Sequence, residues 1–244
     1  MKYSVRFFSA FLKIAAVAVI LLPATRISAQ KKGVKDILGP DMIIGVHFDP
    51  VISWFGSDLD SVSNDGARPG FNLGITVHRY FGSNYALSTG LNYISAGGRL
   101  VTSNETIFDI TTGIDPVVAA NSSVTYKIQY LSIPVGLKLQ TNQIGYITYF
   151  TDLGFDPKVV VSGKADIGDL KNQKAPGEIK TFNIGYHIMA GIEYAVGGNT
   201  AAVIGLGFEN NFADITTDLK ESPFNQPRDK ISHRIISIRL GINF

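Results

Sequence analysis

Ile236-Ser237-Ile238-Arg239-Leu240-Gly241-Ile242-Asn243-Phe244, the last nine residues, decides how the rest of the chain is read. Apolar side chains take every second position, and Ser237, Arg239, Gly241 and Asn243 fill the positions between. A period of two puts the two sets on opposite faces of an extended strand. The same alternation returns upstream and predicts strands near 42 to 52, 70 to 81, 85 to 95, 126 to 139, 146 to 157, 181 to 196, 200 to 212 and 233 to 244.

A four-residue phrase of the terminal strand, Gly241-Ile242-Asn243-Phe244, recurs in six others. Its copies begin at Gly45, Gly74, Gly90, Gly136, Gly191 and Gly205. Glycine weakens an ordinary strand, so seven in corresponding places need a cause. A narrow barrel supplies one, because side chains crowd on its concave face. The glycine face is therefore expected inside and the aliphatic face outside.

The connections alternate in length. Those at 53 to 69, 96 to 125, 158 to 180 and 213 to 232 are long, and those at 82 to 84, 140 to 145 and 197 to 199 are short. Eight strands joined in this way predict an all-β fold, an eight-stranded antiparallel up-and-down transmembrane β-barrel. Its tight turns and both termini would be periplasmic, and its large loops extracellular.

Composition agrees. Only 17% of the 244 residues are charged, against 45% apolar. A soluble barrel of lipocalin type would turn a face rich in Lys, Glu and Asp to water, and the polar face here is mostly Gly, Ser, Asn and Thr. The aliphatic face carries one clear charge, Arg79, placed beside a turn where its long side chain can snorkel to the headgroups. Aromatic girdles are expected from Tyr80, Phe81, Tyr85, Tyr146 and Tyr194 at the turn side. Phe71, Tyr93, Tyr126, Tyr130, Phe155, Phe182 and Phe212 would form the loop-side girdle.

Residues 1 to 29 hold Lys2, Arg6, Lys13 and Arg26 with no acid, the apolar run Ile14 to Leu22, and Ser28-Ala29. This reads as a secretory signal peptide cut after Ala29, followed by a short periplasmic segment at 30–41 and the barrel domain at 42–244. Cleavage leaves 18 basic residues (22 minus 4) against 20 acidic, a net charge near −2. No basic stripe then remains for nucleic acid, and the absence of cysteine excludes a disulfide framework.

Three stretches carry a family likeness: Tyr130-Leu131-Ser132-Ile133-Pro134-Val135-Gly136-Leu137-Lys138-Leu139, the hairpin from Gly191 to Thr200, and the terminal strand. They resemble the PorT-like outer-membrane β-barrel proteins of Bacteroidota, across most of the chain after Ala29. The resemblance implies an eight-stranded barrel in the cell outer membrane, and its namesake takes part in type IX secretion. Phe244 matches the C-terminal aromatic that barrel-assembly machinery recognises, and is expected to serve as an assembly signal. Pro134 lacks a ladder donor, so a bulge or local break is expected in the fourth strand.

Counting from the turn ends places His78, Lys138 and Glu193 low in the lumen, His47, Asp152 and Arg239 in the middle, and Asp49, His187 and Glu209 high. Mixed signs in each layer predict a polar plug in which Arg239 pairs with Asp152, and Lys138 with Glu193. Eight strands enclose room for side chains rather than a water channel. His187 beside Glu209 or Asp49 is the one hydrolase candidate, on a spacing that is not diagnostic, so no enzyme activity is expected. The histidines do not form a metal set and no phosphate-cradling glycine loop exists, so no cofactor is expected.

The loops leave two interaction surfaces. The 158 to 180 loop, with Lys158, Lys164, Lys171, Lys174 and Lys180 among Asp166, Asp169 and Glu178, can face lipopolysaccharide phosphates or a partner. The 96 to 125 loop, apolar at Val117 to Ala120, is expected to extend the barrel as a hairpin or to contact a protein. The reading is a structural or interaction barrel; the alternatives are an accessory of type IX protein secretion, a small-solute porin and a lumen-edge hydrolase.

Overall fold

The computed structural model describes residues 41–57, 62–102, 106–107, 117–118, 121–168, 170–174, 179–212, 214 and 231–244. The expected signal peptide, and the periplasmic segment except Asp41, lie outside them. From Met42 onward the sequence alternation becomes long strands. They are β1 (Met42–Ser57), β2 (Val62–Gly82), β3 (Tyr85–Thr102), β4 in two pieces (Ser122–Ser132 and Val135–Gln140), β5 (Ile147–Ile167), β6 (Phe182–Gly197), β7 (Thr200–Asn211) and β8 (Ile231–Asn243). Each strand pairs with the next, and β8 closes antiparallel on β1 from Gly45↔Asn243 to Ser57↔Ile231. The result is an all-β, eight-stranded antiparallel ring, and closure leaves no wall strand with a bare edge.

The faces sort as the alternation requires. Ile236, Ile238 and Leu240 on β8 are each 45% exposed on the outer wall, whereas Asn243 and the Arg239 side chain are turned in. Leu73, Ile75, Leu87, Leu91 and Leu206 continue this apolar outer wall around the ring. The phrase glycines face inward: a Cβ on Gly74 would stand 2.6 Å from His47 Nε2 and collide with Asn92. Gly191 and Gly205 make room for the Phe150 ring, which fills the lumen beside them. At the short turn into β7, Gly198 has φ +58°, a conformation side-chain-bearing residues rarely adopt.

Pro134 breaks β4 without a register slip. Ser132↔Asn92 and Val135↔Thr89 belong to one register against β3, as Ser132↔Lys158 and Val135↔Phe155 do against β5. Thr89 Oγ1 donates to the Pro134 carbonyl at 2.9 Å, and Ile133 N donates to the Pro157 carbonyl at 3.1 Å, so the gap is bonded over.

Two sequence expectations are corrected. Three of the long connections are shorter than expected: within 53 to 69 β1 runs on to Ser57 and β2 starts at Val62, and within 96 to 125 β3 runs on to Thr102 and β4 starts at Ser122, while Thr106–Ile107 pairs with Val117–Val118 as the hairpin extension expected there. Within 158 to 180 β5 runs to Ile167, and Leu170–Lys174 folds back along it as a flap. These extensions enclose a second interior, built from Val51, Phe55, Ile94, Leu100, Ile128 and their neighbours. Tyr126 and Tyr130 belong to that interior, 6% and 0% exposed, and not to the loop-side girdle. Tyr80 likewise points into the lumen, where it bonds Gln140. Above the apolar outer wall the strands hold together by packing apolar side chains inside.

Candidate functional site

The interior of the ring is the candidate site, and each strand contributes through its inward parity. At the turn end Lys138 (β4) is 1% exposed, with Nζ 2.5 Å from Glu193 Oε1 (β6) and 3.1 Å from Tyr80 Oη (β2). Asn243 (β8) donates to the same Glu193 oxygen at 2.7 Å. The expected Lys138–Glu193 pair is thus present, set above the Phe150 ring at 5.2 Å from its centroid. His78 lines a cavity of about 20 Å³ with Lys138, Asp152 and Arg239. That volume accommodates about one water molecule.

The middle layer centres on Asp49, which is fully buried. Arg239 Nη2 lies 3.0 Å from its Oδ2, His47 Nδ1 2.9 Å, and Asn72 Nδ2 donates to it at 3.1 Å. The expected Arg239–Asp152 pair does not form. β1 and β8 are neighbours, and the constant register between Phe48↔Leu240 and Val51↔Ser237 sets Asp49 opposite Arg239, while Asp152 sits on β5. His47 Nε2 reaches Asn92 Oδ1 at 3.2 Å and ties β1 to β3 through the lumen.

Asp152 instead faces His187, 3.5 Å from Nε2, and the other ring nitrogen sits 2.9 Å from Asp156 Oδ2. The hydrolase arrangement is therefore corrected: His187 stands between Asp152 and Asp156, while Asp49 is bound to Arg239 and Glu209 to Lys158. A cavity of about 50 Å³ lies beside this trio, lined also by Asn72, Ser88 and Asn92.

Lys158 is a further correction, since it is not a loop lysine. It is fully buried, ion-paired with Glu209, and its ammonium is 5.4 Å from the centre of the Tyr130 ring. Tyr130 Oη meets His233 Nδ1 at 3.0 Å, and Asn183 and Asn211 are buried in the same part of the wall. Above them begins the apolar interior around Phe55, whose ring packs edge-on to Tyr126 at 5.8 Å.

Sequence reasoning placed His47, Asp49, His78, Lys138, Asp152, His187, Glu193, Glu209 and Arg239 on the inner face, and all nine are there. It missed Asp156 and His233, which share the inward parity of Asp152 and Arg239, and Asn72 and Asn92, whose amides were read as mere small polar fillers. Among the described residues no three His, Cys, Asp or Glu side chains converge as metal ligands. A charge in so narrow an interior must find a counter-charge or water, and these layers supply the first.

A family model for the outer membrane protein beta-barrel domain matches residues 43–222. The chain belongs to this family. As a member it is an outer-membrane β-barrel protein, and β8 completes the ring beyond the matched stretch. Among solved structures it is similar to Neisserial surface protein A, at 12% identity and TM-score 0.47 over 82% of this chain and 95% of that one. It is also similar to OprG from Pseudomonas aeruginosa (12% identity, TM-score 0.46, 83% and 95% covered). The attachment invasion locus protein of Yersinia pestis shows 13% identity and TM-score 0.40 over 83% and 97%. No curated protein matches the chain.

Proposed function

We propose that this family member is a closed barrel, with a structural or interaction role carried by the loop-side extensions and no enzymatic activity. The observation that carries this reading is the sequence of filled layers along the interior, from Lys138–Glu193 through Asp49–Arg239 and Lys158–Glu209 to the apolar packing around Phe55. Voids of about 20 and 50 Å³ hold a few waters and no solute stream. The His187 ring engages carboxylates at both nitrogens, which suits a paired structural histidine better than a general base beside a nucleophile.

Residues 1–29 act as the export signal, 30–41 lead into the barrel from the periplasm, and both termini remain on that side. Phe244, half-exposed at the end of β8, is the feature the barrel-assembly machinery reads. The extensions face lipopolysaccharide and a surface or secretion-system protein; the PorT-like resemblance makes accessory service to type IX secretion the form such a partnership would take. The test is planar-bilayer recording of the refolded full chain, together with outer-membrane fractionation and capture through a tag in the 103–105 segment. Silent bilayers and a specific captured surface or secretion protein support the reading. Steady single-channel conductance in the intact protein overturns the closed lumen.

A further inference from the structure

Two lysines stand side by side on the loop-side wall. Lys127 of β4 pairs with Lys164 of β5. Like charges directly opposite on adjacent strands repel, so such a row needs a counter-charge. Asp166 gives one, 2.6 Å from Lys127, and its other oxygen accepts the Asn172 amide at 2.7 Å. Arg99 of β3, exposed and two residues further along the wall than the partner of Lys127, and Lys164 have no carboxylate partner among the described residues.

The height of the row is set by the ladder. Tyr93, Leu131, Val159 and Phe182 occupy one level across β3 to β6 and form the upper edge of the apolar belt. Next comes a polar level, Ser95, Gln129 and Ser162, and the level after that holds Lys127 and Lys164. Four residues of tilted strand raise Lys127 and Lys164 roughly 10 Å beyond the apolar edge, and Arg99, six residues past Tyr93, stands roughly 15 Å beyond it, while extended lysine and arginine side chains can reach back several ångströms from there. That is the depth of headgroup phosphates rather than of acyl chains or bulk water. The inner side of the same strands is sealed by Leu100, Tyr126, Ile128, Ala165 and Ile167, so these cations have only the outer surface to serve.

We propose that Arg99, Lys127 and Lys164 form a binding site for the phosphate groups of lipopolysaccharide packed against the barrel wall. Phosphate oxygens would accept from the Arg99 guanidinium and the Lys164 ammonium, with Lys127 fixed by Asp166 at the edge of the site. The inference rests on the reading above that the loop end faces outward, and gives that surface a chemically defined lipid partner.

The test uses the full chain, refolded in zwitterionic detergent and titrated with lipopolysaccharide, the same lipopolysaccharide after phosphate removal, and phosphatidylglycerol, with native mass spectrometry as readout. The intact protein is expected to retain phosphorylated lipopolysaccharide at least tenfold more strongly than either other lipid. Arg99→Gln with Lys164→Gln should abolish the difference, Lys164→Arg should keep it, and Lys180→Gln, a lysine paired with Asp214 elsewhere on the loop side, should leave it unchanged. Equal retention of phosphatidylglycerol, or an undiminished preference in the double variant, overturns the site. Heat-modifiable migration checks that each variant is a folded barrel. Surface labelling of cells carrying Ser123→Cys tests the outward orientation separately, so a failure of the topology is distinguishable from a failure of the phosphate site.

Discussion

Asp49 and Arg239 lie 190 residues apart in sequence, and their side chains meet at 3.0 Å where the first and last strands join. The pair spans the seam at which the ring closes, so it links barrel closure to electrostatics. Asp49 is wholly withdrawn from solvent and also holds His47 and Asn72. Through Asp49, Arg239 is therefore linked to the lumen groups His47 of β1 and Asn72 of β2.

Removing one member of this pair leaves a buried charge without its counter-ion, an effect of about 3–5 kcal/mol for buried ion pairs. Arg239→Ala should lower the temperature at which the barrel loses its fast electrophoretic migration, and Asp49→Leu combined with Arg239→Met should recover much of the loss. An unchanged transition in Arg239→Ala would show that the seam does not depend on the pair.

Gly74 tests the concave-face argument. A Cβ there would collide with Asn92 and stand 2.6 Å from His47 Nε2, groups that are themselves bonded together. Gly74→Val is expected to cost about 1–3 kcal/mol through overpacking and to reduce the folded fraction recovered on refolding. The matched substitution Gly82→Val, at a position whose Cβ would meet only the Tyr85 ring at 3.5 Å, should be far milder when both are followed by urea titration.

Much of this architecture is legible in the alternation, because a two-residue period assigns faces without knowledge of partners. The nine inward polar residues follow from it directly. Pairing across the lumen does not follow: Arg239 chooses Asp49 over Asp152 because of which strands adjoin, and that depends on closure rather than on height. The strand extensions were hidden for a different reason. Beyond the lipid belt the apolar residues move from the outer to the inner face, so Tyr126 and Tyr130 look like membrane aromatics when read in isolation. Their even spacing with Val124, Ile128 and Ser132 was the available signal, since it continues the inward parity of Lys138 across Pro134.

The second interior gives a prediction separate from the lumen ion pairs. Phe55 is 1% exposed and contacts both Tyr126 and His233 through its ring. Phe55→Ala should destabilise the loop-side extension by about 3–5 kcal/mol, the usual range for emptying a buried phenylalanine site. Hydrogen exchange should quicken at Leu100 and Ile128 amides while those near Lys138 and Glu193 stay protected. Uniform acceleration over all eight strands would mean that both interiors unfold as one unit.

Asp166 supplies the pH dependence of the flap. Burial pushes its carboxyl up, but the Asn172 amide and the Lys127 ammonium outweigh that and hold it below its ordinary value of 3.8. A carboxyl with a depressed folded-state pKa adds stability that is fully present above its unfolded-state value near 4 and is lost as pH falls through the lower folded-state value. At neutral pH the Leu170–Lys174 flap should therefore be held against β5, and below about pH 4 the contact should weaken progressively as Asp166 takes up a proton. Carbon NMR of the carboxyl, with the Asn172 amide shift as a second probe, should give one shared titration midpoint below 3.8. Asp166→Asn should remove the pH response of Asn172 in that window while sparing the barrel's migration on gels. A midpoint above 3.8 would mean that desolvation prevails over the two donors and that the flap is held by its ladder alone.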